Sequence, residues 1–260
     1  MKRVSKFYLA LIYIFLYAPI LVMIVLSFNA SKNRNVWSGF TLKWYAELFH
    51  NQIVLESLGN TLLIACIAAV VSTVVGTAAA VGINSFRRHV RNAILNVTYM
   101  PMINPEIVTG VSLMLLYVFL GVKFGFLTLL YSHITFCLPY VILSVLPKLR
   151  QVDPNIYDAA LDLGCTPAHA FWKVILPQIM PGVFSGFLMS FTYSLDDFVI
   201  SYFTNGATSQ TLPITIYSMT RRKVSPEINA LSTILFLVVF TLLIIINLRG
   251  RNPKKEKRSA

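Results

Sequence analysis

The chain has 260 residues, of which 56% are hydrophobic and only 12% are charged. This composition excludes an ordinary soluble domain and indicates a protein embedded in a membrane. Lys and Arg outnumber Asp and Glu by 22 to 10, and the net charge of +12 would suggest nucleic-acid binding in a soluble protein. In a membrane protein such an excess orients the chain instead, so we expect no nucleic-acid partner.

Six stretches are long enough to cross a hydrocarbon core of about 30 Å, which requires roughly 20 apolar residues in a helix. In chain order they are 8–28, 58–83, 93–120, 124–147, 178–203 and 228–248. The first is too long for a signal peptide and lacks an Ala-x-Ala cleavage site, so we expect it to remain in the mature chain. The sequence therefore predicts an all-α polytopic membrane protein with six transmembrane helices.

Basic residues are distributed unequally between the segments that connect these stretches. Segments on the side of the two termini hold 15 Lys and Arg, whereas those on the other side hold 7. Because cytoplasmic segments are enriched in Lys and Arg, we expect both termini in the cytoplasm. Residues 1–28 then comprise the N-terminus and first helix, and the basic tail 249–260 lies against anionic lipid headgroups.

The loop 29–57 is expected outside the cytoplasm and contains the aromatic residues Trp37, Phe40, Trp44 and Tyr45. Tryptophan and tyrosine are typical of the membrane–water interface, so we expect these side chains to lie there.

The third stretch contains a helix-start signal, Asn104-Pro105-Glu106. Asn104 is expected as the N-cap and Pro105 as the first helical residue, so the span is predicted to be broken or kinked there. An intramembrane acid is a candidate functional residue because its burial in lipid is costly. Glu106 either faces a polar pathway through the protein or only caps the half-helix.

Two short helices are predicted in the cytoplasmic loop 151–177. Each begins with a capping residue followed by proline, at Asp153-Pro154 and at Thr166-Pro167. Gly164 is expected to end the first helix in a left-handed conformation, and Pro177 to end the second. Each helix has apolar residues at helical spacing, which are Ile156, Ala159, Ala160 and Leu163, then Ala168, Phe171, Trp172 and Ile175. Composition alone leaves open whether these helices lie on the membrane or dock on a partner.

The spacing in this loop resembles the EAA motif of ABC importer permeases, E-A-A-x3-G-x9-I-x-L-P. The matching residues are, in order, Asp158, Ala159, Ala160, Gly164, Val174, Leu176 and Pro177. Asp158 replaces Glu and Val174 replaces Ile. Ser57-Leu58-Gly59-Asn60-Thr61 is similar to the start of the permease core in the same family.

The resemblance implies a type I importer fold, with an N-terminal helix and a five-helix permease core, here residues 58–248. It also implies that the EAA loop couples to an ATPase dimer through the following residues: Asp158, Ala159, Ala160, Gly164, Thr166, Pro167, Phe171, Leu176 and Pro177. The sequence has no G-x4-G-K-[ST] loop, so ATP and Mg²⁺ are expected on the partner ATPase and no cofactor on this chain. The other implied partners are a second permease and an extracytoplasmic binding protein.

Further segments resemble the spermidine/putrescine permeases of this family. They are 104–108, 132–139, 194–198 and 224–230. The resemblance implies an importer of polyamines, and three acidic residues within the predicted spans are consistent with a cationic substrate. Another organic cation or a metal chelate remains an alternative. A proton-coupled secondary transporter also uses intramembrane carboxylates but needs no ATPase-docking loop.

Two of the intramembrane acids, Asp196 and Asp197, are adjacent. Neighbouring residues on a helix point about 100° apart, so both cannot face one pathway. Asp197 would share its face with Tyr193 and with three serines, Ser190, Ser194 and Ser201. We therefore expect Asp197 and Tyr193 to face the substrate, while Asp196 is either a second pathway residue or a structural one. A carboxylate beside an aromatic ring suits a protonated amine.

His133 and Trp172 have no nucleophile or paired base beside them in the sequence. A buried, hydrogen-bonded histidine and a packing tryptophan are therefore expected.

Overall fold

The computed structural model describes residues 2–32, 36–222 and 226–250. Most of the predicted basic tail, from residue 251 onward, lies outside these ranges. Within them the regular structure is helical, apart from one isolated antiparallel bridge between Asn29 and Phe40. The prediction of an all-α membrane protein is confirmed.

The chain divides into two compact units, of which the first combines Met1–Leu55 with Ile216–Ala260. It contains α1 (Lys2–Ser27), α2 (Lys43–His50) and α12 (Pro226–Gly250), with α12 packed against the other two. Asn29 organises the loop after α1, because its side chain accepts from the backbone N–H of Ser31 and Ser38 and donates to the Val36 carbonyl.

Tyr45 of this loop is half-buried, with its hydroxyl 2.6 Å from that of Ser27, and Trp44 lies deeper still. The Trp44 side chain is buried in the first unit, and its indole N–H donates to the carbonyl of Asn29 at 2.7 Å. The prediction of an interfacial position is therefore wrong for Trp44, whose indole is hydrogen-bonded inside the protein. Trp37 and Phe40 are exposed, as an interfacial position requires.

The second unit comprises Glu56–Thr215. Two helices extend across its boundaries, α3 (Gln52–Ser85) and α11 (Leu212–Arg222). Those within it are α4 (Arg88–Ile103), α5 (Glu106–Phe119), α6 (Phe126–Leu149), α7 (Pro154–Asp162), α8 (Pro167–Ala170), α9 (Leu176–Asp196) and α10 (Val199–Thr204). A π-helical turn, Phe171–Ile175, joins α8 to α9.

Four helices among the described residues are long and apolar enough to cross a membrane: Phe7–Ser27, Gln52–Ser85, Phe126–Leu149 and Pro167–Asp196. The predicted third span is a pair of helices, α4 and α5, with a bend of 103° between them. The predicted break is thus present, but its cap is displaced by one residue: Pro105 is the N-cap and Glu106 the first helical residue. Asn104 instead ends α4.

The core of the second unit lies where α3, α6 and α9 meet. Val141 of α6 is fully buried and faces two glycines, Gly76 of α3 and Gly186 of α9. A Cβ on Gly76 would approach the Val141 side chain to 2.7 Å, and one on Gly186 would approach the Val141 Cα to 3.2 Å. Small residues therefore allow these helices to pack closely, as is common between membrane helices.

Candidate functional site

The first candidate site is the loop between α6 and α9, whose first helix has the predicted ends. The Asp153 side chain accepts from the backbone N–H of Asn155 at 3.0 Å. At the other end Gly164 has φ of +85°, with Gly164 N–H donating to Leu161 and Cys165 N–H to the Ala160 carbonyl. These two bonds form a Schellman motif, which satisfies the last carbonyls of α7. Nothing lies within 4 Å of a Cβ built on Gly164, so backbone conformation alone requires glycine here.

The second helix of the loop begins as predicted but does not end where predicted. Thr166 accepts from the backbone N–H of His169, and Pro167 is the first helical residue. Pro177, however, lies in the first turn of α9, so the helix continues from the loop into the fifth predicted span. The prediction that Pro177 ends the helix is wrong because the preceding π-helical turn changes the hydrogen-bonding register, with Leu176 N–H donating to Phe171.

The apolar residues of this loop divide between the core and the surface. Ala160, Ala170 and Ile175 are buried, and Ile175 belongs to the core formed by α3, α6 and α9. By contrast, Leu163 is 87% exposed and Trp172 is 64% exposed. The expectation that Trp172 packs internally is therefore wrong: its indole contacts Phe171 edge to face and otherwise projects from the loop.

The remaining predicted coupling residues lie on the same loop. Asp158 and Ala159 are exposed on α7, Phe171 is half-buried, and Leu176 packs against the core. Phe171 also packs against that core, as does Tyr157 of α7. The loop therefore joins an exposed apolar surface directly to the membrane helices.

The second candidate site lies where two broken helices meet. Gly110 of α5 packs against α10, where an added Cβ would come within 3.5 Å of the Ile200 Cα. This contact brings Glu106, one turn before Gly110, close enough to Asp196 and Asp197 to interact electrostatically with both. The structure thus brings the three predicted intramembrane acids together.

Asp197 does not have the predicted environment. The α9 helix ends at Asp196, and Asp197 has an extended backbone, with φ of −63° and ψ of 122°. Its buried carboxylate accepts from the backbone N–H groups of Ile200 at 3.2 Å and Ser201 at 2.7 Å. Asp197 therefore caps α10, and the expectation that it faces the substrate on a continuous helix is wrong.

Asp196 and Glu106 are the two exposed acids of this site. Tyr193 lies three residues before Asp196 and is 39% exposed. Its ring stacks on Tyr140 of α6, with ring centroids 4.3 Å apart. Glu106 lies near enough to Tyr140 for its charge to act on the Tyr140 hydroxyl. The site thus presents two carboxylates and two tyrosine rings.

Sequence reasoning missed Tyr140 and the partners of His133. Tyr140 follows Phe136 by four residues, and both rings contact Tyr193. The four-residue spacing places Phe136 and Tyr140 on one face of α6, whereas their contact with Tyr193 depends on the folded chain. His133 is buried and hydrogen-bonded as predicted, to Ser194 and Ser201.

Apolar helices interrupted beside intramembrane carboxylates, together with an exposed loop between two helices, are typical of membrane transport permeases. Residues 72–251 match the family described as "Binding-protein-dependent transport system inner membrane component", and the chain belongs to this family. It is 40% identical over 248 residues to the spermidine/putrescine transport system permease protein PotC of Escherichia coli, covering 95% of this chain and 94% of that protein.

Two further relatives are similar along most of the chain. Identity is 36% to PotC of Haemophilus influenzae, covering 95% of this chain and 98% of that one. Identity is 41% to the putrescine transport system permease protein PotI of Escherichia coli, covering 85% of this chain and 81% of that one. The chain is therefore a transport permease of the cell membrane rather than an enzyme.

Solved structures have the same fold at low sequence identity. A bacterial ABC transporter that imports the acidic polysaccharide alginate matches with a TM-score of 0.71 and 13% identity, covering 96% of each chain. An amino acid ABC transporter matches with a TM-score of 0.57 and 20% identity, covering 81% of this chain and all of that one. This chain therefore has the fold of these two transporter structures.

Proposed function

We propose that this chain is the permease subunit of an ATP-driven importer for spermidine, putrescine or both, and that it forms half of the translocation pathway. One observation carries the proposal: two exposed carboxylates and two stacked tyrosines meet at breaks in membrane helices, in a chain closely similar to PotC.

The chemistry of this site suits a protonated polyamine. Each ammonium group loses hydration when it enters a narrow pathway, and carboxylates and aromatic faces replace the lost interactions. Glu106 and Asp196 supply the negative charge. Tyr193 and Tyr140 supply aromatic surface, with a cation–π interaction of about 0.5–2 kcal/mol for each favourable contact. Asp197 serves the same site by capping α10.

The loop between α6 and α9 is proposed to couple transport to ATP hydrolysis. Leu163 and Trp172 present exposed apolar surface for a groove on an ATPase dimer, while Tyr157 and Phe171 pack against the membrane helices. A displacement of the loop would therefore be transmitted to α9, which leads directly to Asp196. ATP and Mg²⁺ are bound by the ATPase, and this chain holds no cofactor.

The proposed topology has six spans and both termini in the cytoplasm. It treats the bent α4–α5 pair as the third span, α9 with α10 as the fifth and α12 as the sixth. Residues 29–57 form the extracytoplasmic loop and 58–248 the permease core, with the coupling loop at 151–177. The 15 Lys and Arg on the terminus side support this orientation.

The proposed complex contains the ATPase dimer, a second permease and an extracytoplasmic polyamine-binding protein. A periplasmic protein accompanies the alginate transporter, whose structure has this fold. The second permease supplies the other half of the pathway, and nucleic acid has no part in the assembly.

Competition for uptake tests the substrate class. Cells without other polyamine uptake would express the complete transporter and receive labelled spermidine with an excess of unlabelled competitor. We expect putrescine or unlabelled spermidine to block uptake, while choline and a ferric chelate do not. If only choline or only the ferric chelate blocked uptake, the substrate would instead be another organic cation or a metal chelate.

A further inference from the structure

His133 lies at the centre of a buried polar network beside the break between α9 and α10. The imidazole belongs to α6 and is 1% exposed. Its Nδ1 lies 2.7 Å from the Ser194 hydroxyl on α9, and its Nε2 lies 2.9 Å from the Ser201 hydroxyl on α10. One side chain is therefore hydrogen-bonded to both helices across their break.

Asp197 completes this network from the break itself. Its Oδ2 accepts from the backbone N–H of Ser201 at 2.7 Å and lies 3.6 Å from His133 Nε2. The same carboxylate caps α10 through Ile200. Polar contacts therefore join α10 to α9 where the backbone helix is interrupted.

Ser194 lies in the last turn of α9, one residue after Tyr193 and two before Asp196. A bond that holds Ser194 therefore also holds the turn that presents Tyr193 to Tyr140 and Asp196 to the pathway. The imidazole is too deeply buried to contact a solvated substrate, so any effect of His133 on transport acts through these neighbours.

We propose that His133 is the positioning residue of the translocation pathway: it joins α9 to α10 across their break and thereby fixes where Asp196 and Tyr193 face the substrate. The role in transport rests on the proposed function, whereas the joining of the two helices does not. This gives the proposal one test that needs no substrate and one that does.

The first test measures the geometry of the break directly. In a chain with Cys66→Ser and Cys165→Ser, spin labels at Leu188→Cys on α9 and Tyr202→Cys on α10, both exposed positions, would report their distance distribution in the assembled complex. We expect one narrow distribution in the parent and a broader one after His133→Leu or Ser194→Ala. Ser132→Ala is the matched control, because Ser132 is a buried serine of α6 bonded to Tyr117 and outside the network. A distribution unchanged by both network variants overturns the proposal.

The second test measures spermidine imported per ATP hydrolysed in reconstituted vesicles. Loss of one network hydrogen bond in Ser194→Ala should lower this ratio about fivefold, with a larger loss in His133→Leu. His133→Asn retains a polar side-chain atom near the position of the imidazole Nδ1. It should therefore keep part of the spermidine-to-ATP ratio that His133→Leu loses. Uptake and ATPase activity that fall together in every variant would indicate a role in folding alone and overturn the proposal. Absence of uptake by the parent complex would instead contradict the proposed function, and the spin-label distances would still decide the role of His133.

Discussion

Tyr193 of α9 stacks on Tyr140 of α6, with ring centroids 4.3 Å apart and an interplanar angle of 32°. Tyr193 lies three residues before Asp196 in α9, and Tyr140 is near enough to Glu106 for the glutamate charge to act on its hydroxyl. Because Tyr193 is still 39% exposed, one ring of the pair is accessible to a passing cation.

The ring of Tyr140, rather than its hydroxyl, is expected to matter for transport. Tyr140→Phe keeps the stack and should retain uptake within about twofold, whereas Tyr140→Leu removes aromatic surface and should lower uptake about tenfold. Initial rates of spermidine uptake at equal amounts of assembled complex provide the measurement. Equal rates for the two variants would mean that the aromatic face has no part in the pathway.

The two adjacent aspartates should respond differently to substitution. Asp196→Asn removes an exposed charge and should abolish uptake while leaving co-purification with the ATPase intact. Asp197→Ala removes the α10 cap, which costs about 0.5–2 kcal/mol, and should lower the thermal stability of the purified complex. Asp197→Asn is the control for capping, since its amide oxygen still accepts a backbone hydrogen bond. If Asp197→Asn abolished uptake while Asp196→Asn transported normally, the roles assigned here would be reversed.

A substitution at Gly164 should act only through the strain that the new side chain puts on the backbone. A β-branched residue is strained at φ of +85°, so Gly164→Val should distort the end of α7 and reduce ATPase co-purification. Gly164→Asn should be tolerated better, because asparagine adopts the left-handed region more readily. Pull-down of the ATPase by the tagged permease complex measures both, and normal binding by Gly164→Val would argue against a coupling role for this turn.

Trp172 offers a test of the exposed loop surface. Because the indole is 64% exposed, Trp172→Ala should leave the thermal stability of the detergent-purified permease pair nearly unchanged. If the indole is an anchor for the ATPase, the same change should weaken ATPase binding by about tenfold or more. Phe119→Ala, which removes a still more exposed aromatic side chain at the end of α5, is the control. Unaltered ATPase affinity would remove Trp172 from the docking surface.

Features encoded by neighbouring residues could be predicted from the sequence. Gly164, the caps at Asp153 and Thr166, and the break near Pro105 each depend on the conformational preference of one or two residues. The EAA spacing identified the loop for the same reason. Glu106, Asp196 and Asp197 could be selected because acids within apolar stretches are rare.

Features that depend on contacts between distant residues could not be predicted from the sequence. Nothing around Asp197 resembles a helix stop, and the break there is held by His133, 64 residues earlier in the chain. The continuation of the helix through Pro177 depends on a π-helical turn packed against the core. Tyr140 belongs to the candidate site because it contacts Tyr193, which is 53 residues away in the chain.

Accumulation of labelled spermidine in sealed vesicles tests the central proposal most directly. The vesicles would contain the complete complex with its binding protein, and uptake would be compared with and without ATP, and with Asp196→Asn in place of the parent chain. We predict ATP-dependent accumulation by the parent and none by the variant, with binding-protein-stimulated ATPase activity retained in both. Accumulation that is independent of ATP, or that Asp196→Asn supports equally well, would contradict the proposal of an ATP-driven polyamine importer.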